Sequence, residues 1–443
     1  MRMPKLPPGE NWFDLLPKNP EKYVRAVSSA GGPLINGKYL HWDKLRYYAP
    51  PDRVDHTDWW HAIKMHRQSQ YQRVPLEDTG GEKFVFMLAD PIPKLLHTID
   101  LGTGGHVQMS EQITNPDTRD SYYVRSLIDE AITSSQIEGA STTRRVAKEM
   151  IRAGRKPKDR SEQMILNNYL AMKRIAKHKN KSLSQDLIFE IHELVTKDTL
   201  EDATATGRFR RVDENIRVED QYGTIFHEPP SAATLDHRIQ ELCDFANSSG
   251  DSEPFIHPAI RAIIVHFWLA YDHPFVDGNG RTARALFYWS MLHNGYWLFE
   301  FVSISQMIRK APVKYGRAFC YTETDENDLT YFILYHLEII RRSIAELHNY
   351  IEVKTAQLRA LEAEVKGLVV LNHRQRALIS HALRHPEQRY IIESHRVSHN
   401  VVYETARTDL LDLRDRGLLV GGKSGKTWFF TAAKDIEDRL MNL

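Results

Sequence analysis

Most of the chain follows a helical pattern of hydrophobic and polar positions. From about residue 121 to residue 350, apolar residues recur at spacings of three and four, which is typical of helices. Residues 1 to about 118 instead mix short strand-like runs, such as 84–87, with glycine-marked turns. The charged segment 355–369 predicts a connecting helix. We therefore expect a mainly α-helical fold preceded by a mixed N-terminal region.

The pattern changes again from residue 372 onwards. Helices are expected at 374–384, 393–399 and 401–414. Two apolar runs, 418–420 and 427–430, then flank the glycine-rich turn 421–425, which predicts a β-hairpin. Three helices followed by a hairpin is the element order of a winged-helix domain. The expected domains are an N-terminal region at 1–118, a helical domain at 119–350, a linker helix at 351–371 and a winged-helix domain at 372–443.

Composition and charge narrow the class of protein. The 443 residues are 42% hydrophobic and 26% charged, as in a globular protein of two or three domains. A formal net charge of +1 gives no overall reason to expect a nucleic acid or a membrane as partner. Cys243 and Cys320 lie far apart, so we expect no disulfide framework and a reducing compartment. No segment reads as a signal peptide or a membrane span, which predicts a cytoplasmic location.

The densest set of chemically useful residues is segment 273–284, His-Pro-Phe-Val-Asp-Gly-Asn-Gly-Arg-Thr-Ala-Arg. An apolar stripe that Pro258 can begin predicts a helix before this segment. A second helix is expected from Arg281 to His293, closed by Asn294-Gly295. The segment is therefore expected to form a loop that opens onto a helix N-terminus.

Residue types in this loop suit the binding of a polyphosphate. Gly278 and Gly280 permit a backbone that turns successive N–H groups toward one anion, and the helix dipole adds its positive end there. Arg281 and Arg284 are three residues apart, so they share a helical face and can hold neighbouring phosphates.

The same loop offers a metal ligand and a base. Asp277 supplies hard oxygen atoms for Mg²⁺ held against the phosphates. His273 can accept a proton from an attacking hydroxyl because its ordinary pKa lies near neutrality. Phe275 is expected to face the core. Taken singly, each of these residues is more often structural, but their occurrence together favours a functional interpretation.

This segment resembles the signature of the Fic family, His-x-Phe-x-Asp/Glu-Gly-Asn-Gly-Arg-x-x-Arg, at every defined position, and the resemblance extends over roughly residues 121–350. It implies a helical Fic fold that transfers AMP from ATP, with Mg²⁺, to a Ser, Thr or Tyr hydroxyl of a protein. It also implies roles for the matching residues: His273 as the base, Asp277 on Mg²⁺, Gly278, Asn279 and Gly280 around the α-phosphate, and Arg281 and Arg284 on the distal phosphates. The related Doc-type kinases carry Lys in place of Gly280, which disfavours phosphotransfer.

A second stretch resembles the Fic flap, a hairpin that holds the target segment in register. It comprises residues 207–210, Gly-Arg-Phe-Arg, and residues 216–226, whose alternation independently predicts a hairpin around Tyr222-Gly223. An ordinary surface hairpin is the alternative when the resemblance is set aside. Within this hairpin the resemblance places Thr224 and Ile225 against the nucleotide.

Two tyrosines lie where the family often contacts the adenine. These are Tyr315 and Tyr321. Either one alone is also typical of a core aromatic residue, so the adenine contact is an expectation from the resemblance only.

Residues 134–139, Ser-Ser-Gln-Ile-Glu-Gly, resemble the family's inhibitory motif, Ser/Thr-x-x-x-Glu-Gly/Asn. Ser134, Glu138 and Gly139 occupy its defined positions. A Glu138 carboxylate beside Arg284 would form a charge-assisted pair in the space that the γ-phosphate needs. The alternative is an ordinary solvent-facing glutamate on a helix.

The expected partner is a protein with a hydroxyl side chain, this chain itself included. DNA is disfavoured because the helix that would enter its groove carries more acidic than basic residues: Glu404, Asp409, Asp412 and Asp415 against Arg407 and Arg414. Lys423 and Lys426 in the hairpin leave DNA binding as an open alternative. Target recognition or packing in a homodimer is the favoured role for the C-terminal domain.

Overall fold

The computed structural model describes residues 1–9, 19–103, 116–220, 222–248, 254–367, 370–386, 388–424 and 427–440. Residues up to 103 and from 126 to 344 form one compact unit, and residues 116–125 and those from 345 onwards form a second. Both units are mainly helical, with two-stranded antiparallel hairpins as their sheets. This agrees with the expected mainly α-helical class.

The first unit begins with the mixed region. Its elements are α1 (Pro20–Ala30), α2 (Trp42–Leu45), α3 (His56–Gln68), β1 (Gln72–Glu77), β2 (Lys83–Phe86) and α4 (Ile92–Thr103). A buried charge cluster joins this region to the turn at 325–328. There Lys64 lies 2.8 Å from Asp325, and the guanidinium of Arg67 lies 3.8 Å from the same carboxylate. The N-terminal region is thus fixed to the helical part by paired charges, which a buried position requires.

The helical part of the first unit follows. Two of its helices extend beyond this unit: α5 (Pro116–Ile137) belongs to it from residue 126 onwards, and α14 (Thr330–Gly367) belongs to it up to residue 344. The elements between them are α6 (Arg144–Ala153), α7 (Arg160–His178), α8 (Gln185–Thr196), β3 (Val218–Glu219), β4 (Ile225–His227), α9 (Leu235–Asn247), α10 (Pro258–Asp272), α11 (Asn279–His293), α12 (Ile304–Lys310) and α13 (Pro312–Thr324). Short 3₁₀ turns lie at Ala203–Ala205, Ala232–Thr234 and Trp297–Glu300.

Helices α10 and α11 form the centre of this unit. Pro258 occupies the first turn of α10, as the sequence predicts, and the His257 side chain caps the helix by accepting from the Ala259 amide. The predicted apolar stripe of α10 is buried, but so are residues outside the stripe, including Ala262, Val265 and Leu269. A helix that is apolar on all sides belongs in a core rather than on a surface. These two helices therefore carry the segment 273–284 on a rigid support.

Helix α14 differs from the expected boundary. The sequence pattern predicts a separate connecting helix at 355–369, whereas α14 continues without a break from Thr330 to Gly367. No Gly or Pro interrupts residues 345–366, so nothing in the local sequence ends the helix. The domain boundaries proposed from the sequence stay predictions.

The second unit contains α15 (His373–Arg384), α16 (Ile392–His399), α17 (Tyr403–Asp415), β5 (Leu419–Ser424), β6 (Thr427–Ala432) and α18 (Ile436–Leu440). Three helices precede a hairpin, in the predicted order; the winged-helix assignment itself stays a prediction. The predicted turn at 421–425 is displaced, because β5 runs to Ser424 and pairs Gly422 with Phe429. A Cβ atom on Gly422 would lie 2.5 Å from the Phe429 ring, so this glycine makes room for the ring within the strand.

The acidic residues of α17 do not all face outward. Asp409 is buried and accepts hydrogen bonds from Asn372, Arg374 and His395. Asp412 accepts from Gln375 at 2.7 Å. Part of the acidic charge that disfavours DNA is therefore used to hold the helices of this unit together.

Candidate active site

The segment 273–284 forms a loop and a helix N-terminus, as predicted. Helix α10 ends at Asp272, and His273 adopts a left-handed backbone with φ +45°. Gly278, with φ +88°, caps α11. A Cβ atom on Gly278 would lie 2.7 Å from Cγ2 of Thr196, so both the backbone angle and the space require glycine. The helix begins at Asn279, two residues earlier than the sequence predicts.

The loop is closed on itself by Asn279. Its side-chain Oδ1 accepts from the Phe275 amide at 2.9 Å, and its Nδ2 donates to the Phe275 carbonyl at 2.8 Å. Both polar ends of this side chain are used inside the loop. The predicted contact of Asn279 with an α-phosphate would therefore have to come from backbone amides of the first turn of α11, which lack helical acceptors.

His192 on α8 supports the loop from below, and the sequence analysis did not single it out. Its ring stacks on Phe275, with centroids 3.7 Å apart and planes 6° from parallel. Nδ1 accepts from the Gly207 amide at 3.1 Å, which leaves Nε2 to donate to the Asp277 carbonyl at 2.9 Å. The only sequence signal was a histidine on the buried face of an amphipathic helix, which is typical of ordinary core residues.

Arg210 holds the other side of the loop. Its amide donates to the Pro274 carbonyl at 2.8 Å and its Nε donates to the His273 carbonyl at 2.9 Å. The Gly-Arg-Phe-Arg stretch pointed to this region, but not to a contact with the His273 backbone. The segment before the hairpin and the segment 273–284 are thus one connected structure.

His273 presents one nitrogen as a proton acceptor. Nδ1 lies 3.3 Å from the Ala270 carbonyl oxygen, which assigns the proton of the neutral ring to Nδ1 and leaves the lone pair on Nε2. Burial, with a smaller contribution from the charge of His227, lowers the pKa of His273 to about 4. The ring is therefore neutral at physiological pH, as a general base must be.

Asp277 is the single carboxylate of the loop. One of its oxygen atoms lies 3.5 Å from Nη2 of Arg281 and the other lies 3.4 Å from Nη2 of Arg160. Within the described residues no three His, Cys, Asp or Glu side chains come together as a metal site. One carboxylate still fits Mg²⁺, because this ion commonly takes its remaining ligands from substrate phosphates and water.

Arg281 and Arg284 are both buried at the start of α11. Nη1 of Arg281 donates to the Val195 carbonyl at 2.7 Å, whereas its Nε and Nη2 have no hydrogen-bond acceptor among the described residues. A buried donor without an acceptor costs free energy unless a bound ligand supplies the acceptor. Arg284 instead donates to Ser134, from Nε to Oγ at 2.8 Å and from Nη2 to the carbonyl at 3.1 Å.

The end of α5 lies along α11 in register. Tyr288 donates to Glu130 at 2.9 Å, and one turn further along each helix Arg284 contacts Ser134. One turn further again, Oε1 of Glu138 accepts from Nη2 of Arg284 at 2.8 Å. Contacts at steps of four residues on two antiparallel helices place Glu138 over the N-terminus of α11.

Glu138 lies directly above Gly280. A Cβ atom on Gly280 would be 2.2 Å from Oε1 of Glu138, so any larger residue there would displace the carboxylate. Glu138 itself follows the last residue of α5 and precedes Gly139, whose φ is +95°. The left-handed turn that Gly139 permits brings Glu138 to the loop.

Comparisons with known proteins agree with this geometry. Residues 182–291 match the model of the Fic/DOC family. The chain carries a Fic domain. It is 34% identical over 139 residues to proteins named protein adenylyltransferase Fic from Drosophila willistoni and Drosophila virilis, a match of 29% of this chain. The chain spans about a quarter of the length of these relatives, 25% and 26%.

A solved structure shows the same fold. The crystal structure of a Fic family protein from Desulfovibrio desulfuricans G20 aligns with 78% of this chain and 97% of its own, at 20% identity and a TM-score of 0.50. The likeness therefore extends well beyond the 110 residues that match the family model (182–291).

The segment expected to be the flap contains the antiparallel hairpin of β3 and β4; its role as a flap stays a prediction. Its turn is built by Asp220, whose carboxylate accepts from the amides of Tyr222 and Thr224, and Gly223 has φ +77°. Ile225 is 37% exposed at the start of β4. These contacts lie within the hairpin, so nucleotide binding by Thr224 and Ile225 stays a prediction.

The base of the flap is anchored by His227. Nδ1 lies 2.7 Å from the Glu323 carboxylate and Nε2 lies 2.6 Å from the Tyr271 carbonyl. Burial disfavours the charged ring, but the hydrogen bond to Glu323, the charge of Glu323 and the bond to the Tyr271 carbonyl together outweigh burial and raise the pKa of His227. This side chain was not singled out from the sequence, because its partners come from α10 and α13.

The two tyrosines have different surroundings. The Tyr315 hydroxyl lies 2.9 Å from Nε2 of His266 and near the Arg284 guanidinium, so Tyr315 borders the site. The Tyr321 ring stacks on His41, with centroids 4.3 Å apart and planes 10° from parallel. Tyr321 therefore faces the N-terminal region, and only Tyr315 keeps a place beside the Fic loop.

Within the part of the chain that the structure describes, no helix is long and apolar enough to cross a membrane.

Proposed function

We propose that this chain is a protein adenylyltransferase that transfers AMP from ATP to a Ser, Thr or Tyr hydroxyl of a protein. The carrying observation is the convergence at the first turn of α11. In the described part of the chain, Nε2 of His273 makes no hydrogen bond, Asp277 is half-exposed, and two buried N–H donors of Arg281 make none either. A base, a metal ligand and an anion site are the three parts that such a transfer needs.

The reaction proposed for these residues balances as follows. The hydroxyl oxygen bonds to the α-phosphorus, the bond from that phosphorus to the oxygen bridging to the β-phosphorus breaks, and pyrophosphate leaves. The hydroxyl proton passes to Nε2 of His273, since Nδ1 is already bonded to the Ala270 carbonyl. Arg281 orients the phosphate chain through Nε and Nη2, which make no hydrogen bond within the described residues.

Asp277 would hold Mg²⁺, which supplies charge neutralisation to the phosphates when it is bound. For this ion to bind, the carboxylate must release at least part of its contacts with Arg160 and Arg281, at 3.4 and 3.5 Å. Phosphate groups that pair with Arg281 would favour that release. His192 fixes the Asp277 backbone during the exchange through its 2.9 Å bond to the carbonyl.

Glu138 is proposed to hold the enzyme inactive. Its carboxylate lies 2.8 Å from Arg284 and covers Gly280, so both the charge and the space that a γ-phosphate would use are occupied. A displaced γ-phosphate would misalign the α-phosphorus with the attacking oxygen, and small misalignments cost large factors in rate.

The test is label transfer by the Glu138→Gly chain. Incubated with cell lysate and ATP, it is expected to place label from the α-phosphate, and none from the γ-phosphate, on protein. Transfer of γ-label would identify a kinase and contradict the proposal. Because the target is unknown, label found on the chain itself also counts as transfer. A reaction of the purified chain with ATP alone separates self-modification from modification of another protein.

The role of the second unit is proposed to be partner binding, either to the target protein or in a homodimer. DNA is less favoured, although Asp409 and Asp412 are partly neutralised within the fold by Arg374 and Arg416. A gel-shift titration of the full chain with duplex DNA at low and moderate salt distinguishes DNA binding from binding to a protein partner, since a DNA complex would weaken steeply with salt.

A further inference from the structure

One segment of the chain is far more basic than the rest. Residues 144–160, Arg-Arg-Val-Ala-Lys-Glu-Met-Ile-Arg-Ala-Gly-Arg-Lys-Pro-Lys-Asp-Arg, contain eight Lys or Arg and two Asp or Glu, a net charge of +6, whereas the whole chain has +1. We call residues 144–160 the basic segment. It comprises α6 and the turn that leads into α7. Apart from Arg160, which contacts Asp277, its residues have been given no role in the polyphosphate site or the flap.

The charge of the basic segment lies largely at the surface. Arg145 is 79% exposed, and Lys156 and Lys158 are also exposed. Some members are paired: Arg144 and Lys148 with Asp129, Arg145 with Glu149, and Arg155 with Glu162. Even after these pairs a positive excess is left on an exposed surface, which attracts acidic partners.

The basic segment is attached to the active site at both of its ends. Its last residue, Arg160, lies 3.4 Å from the Asp277 carboxylate. Just before its beginning, the Thr142 carbonyl accepts a hydrogen bond from Gln136 of α5 at 2.9 Å. This bond spans the turn that contains Glu138 and Gly139. A partner bound here would therefore sit beside both the proposed metal ligand and the proposed inhibitory residue.

We infer that the basic segment is a docking surface for an acidic stretch of the target protein. The class of partner rests on the proposed function, since that reaction modifies a protein. The sequence also disfavours single-stranded nucleic acid, because residues 144–160 contain no aromatic side chain on which bases could stack. Carboxylates would pair with Lys156 and Lys158 without entering the polyphosphate site.

The test is a binding measurement on the full chain without ATP. A fluorescent glutamate-rich peptide is expected to bind, a glutamine-rich peptide of the same length is expected not to, and added salt should weaken the complex. The double variant Lys156→Glu/Lys158→Glu should weaken binding by about tenfold, because two attractive contacts become repulsive. Since no AMP transfer is measured, failure of this inference is separable from failure of the proposed function.

The matched control is Lys177→Glu/Lys181→Glu. Both lysines are exposed, and Lys177 lies near the opposite end of α7, about 25 Å from Arg160 along the helix. This variant has the same change in net charge, so its affinity should equal that of the parent. Equal weakening in both variants would reduce the effect to overall charge and overturn the inference. Tighter binding of single-stranded or duplex oligonucleotides, lost in Lys156→Glu/Lys158→Glu, would also overturn it in favour of a nucleic-acid surface.

Discussion

The loop that contains His273 and the turn that contains Glu138 meet at the start of α11, yet they are held in very different ways. The loop is fixed from three sides by buried groups: His192 below it, Arg210 beside it and Asn279 within it. The turn lies beyond the end of α5, and Glu138 is 30% exposed with its carboxylate bonded to Arg284. Together with the proposed inhibition by Glu138, this difference leads us to propose a preformed site restrained by one displaceable side chain.

This contrast has an energetic basis. The buried side chains of His192, Arg210 and Asn279 are hydrogen-bonded to the backbone of the loop, so moving the loop would leave several of these groups unsatisfied. Arg284 is buried and also bonded to Ser134, whereas the Glu138 carboxylate is 30% exposed, so water competes for the carboxylate and can replace its part of the pair. Regulation is therefore expected to act through the turn, while substitutions in the loop should affect catalysis.

The largest effect is expected from His273→Ala in the Glu138→Gly chain. AMP transfer should fall by roughly 10²- to 10⁴-fold, the usual contribution of a general base. ATP affinity measured by calorimetry should be unchanged, because the imidazole is needed only when the hydroxyl attacks. The control is His178→Ala, which removes another buried histidine, bonded to the Arg174 carbonyl on α7. Equal transfer by the His273 variant and its parent would show that His273 is not the base.

Arg281→Ala should have the next largest effect. It removes the buried Nε, which has no acceptor among the described residues, and Nη2, which has there only the Asp277 carboxylate at 3.5 Å, so the Kd for ATP should rise by roughly tenfold to a hundredfold. Calorimetry with Mg²⁺ present measures this, and thermal melting shows whether the fold survives the loss of the bond to Val195. An unchanged Kd together with an unchanged rate would argue against phosphate contact.

His192→Phe probes whether the loop is held in register by hydrogen bonds or by packing alone. The variant keeps a ring against Phe275 but cannot bond Gly207 or Asp277. The rate should fall by about tenfold, with a higher Mg²⁺ concentration for half-maximal activity, because the Asp277 backbone is released. His192→Gln, which can both accept and donate, should recover part of the rate. A lower melting temperature with unchanged Mg²⁺ dependence would reduce His192 to a packing role.

Acid should destabilise the preformed loop and its surroundings. Burial lowers the pKa of His41, His192 and His273 to about 4 each, whereas in the unfolded chain these groups titrate near their ordinary value of about 6.5. Between these values the unfolded state binds more protons, so stability falls as pH falls through this window. The melting temperature should drop by roughly 5 °C or more from pH 7.5 to pH 5. A constant melting temperature over this range would contradict the burial of neutral histidines.

Sequence patterns predicted what depends on neighbours along the chain. The helices on either side of segment 273–284, the glycine-bearing N-terminus of α11 and the flap hairpin all follow from local periodicity and turn residues. The hydrogen bonds by which His192 and Arg210 hold the loop could not be predicted in this way. Their partners are backbone groups on segments far away in the chain, and a buried histidine or arginine looks the same whether it braces a site or a core.

The pairing of Glu138 with Arg284 shows the opposite case. The residues are 146 positions apart, and their contact was expected from the resemblance of two separate motifs rather than from local pattern. For Asp409 and Asp412, counting charges along α17 could not reveal that Asp409 is ion-paired with Arg374 and Asp412 with Arg416; whether the second unit binds DNA stays a prediction.

The most direct test of a preformed site restrained by Glu138 is a comparison of α-labelled AMP transfer by four chains: the parent, Glu138→Gly, Arg284→Ala and the double variant. Glu138→Gly is predicted to transfer at least about tenfold faster than the parent, because it frees Arg284 without touching His273 or Asp277. In the Arg284→Ala background the same substitution should give little gain, since both changes act on one pair. A rate for Glu138→Gly that equals or falls below that of the parent, with the fold intact, would contradict the account.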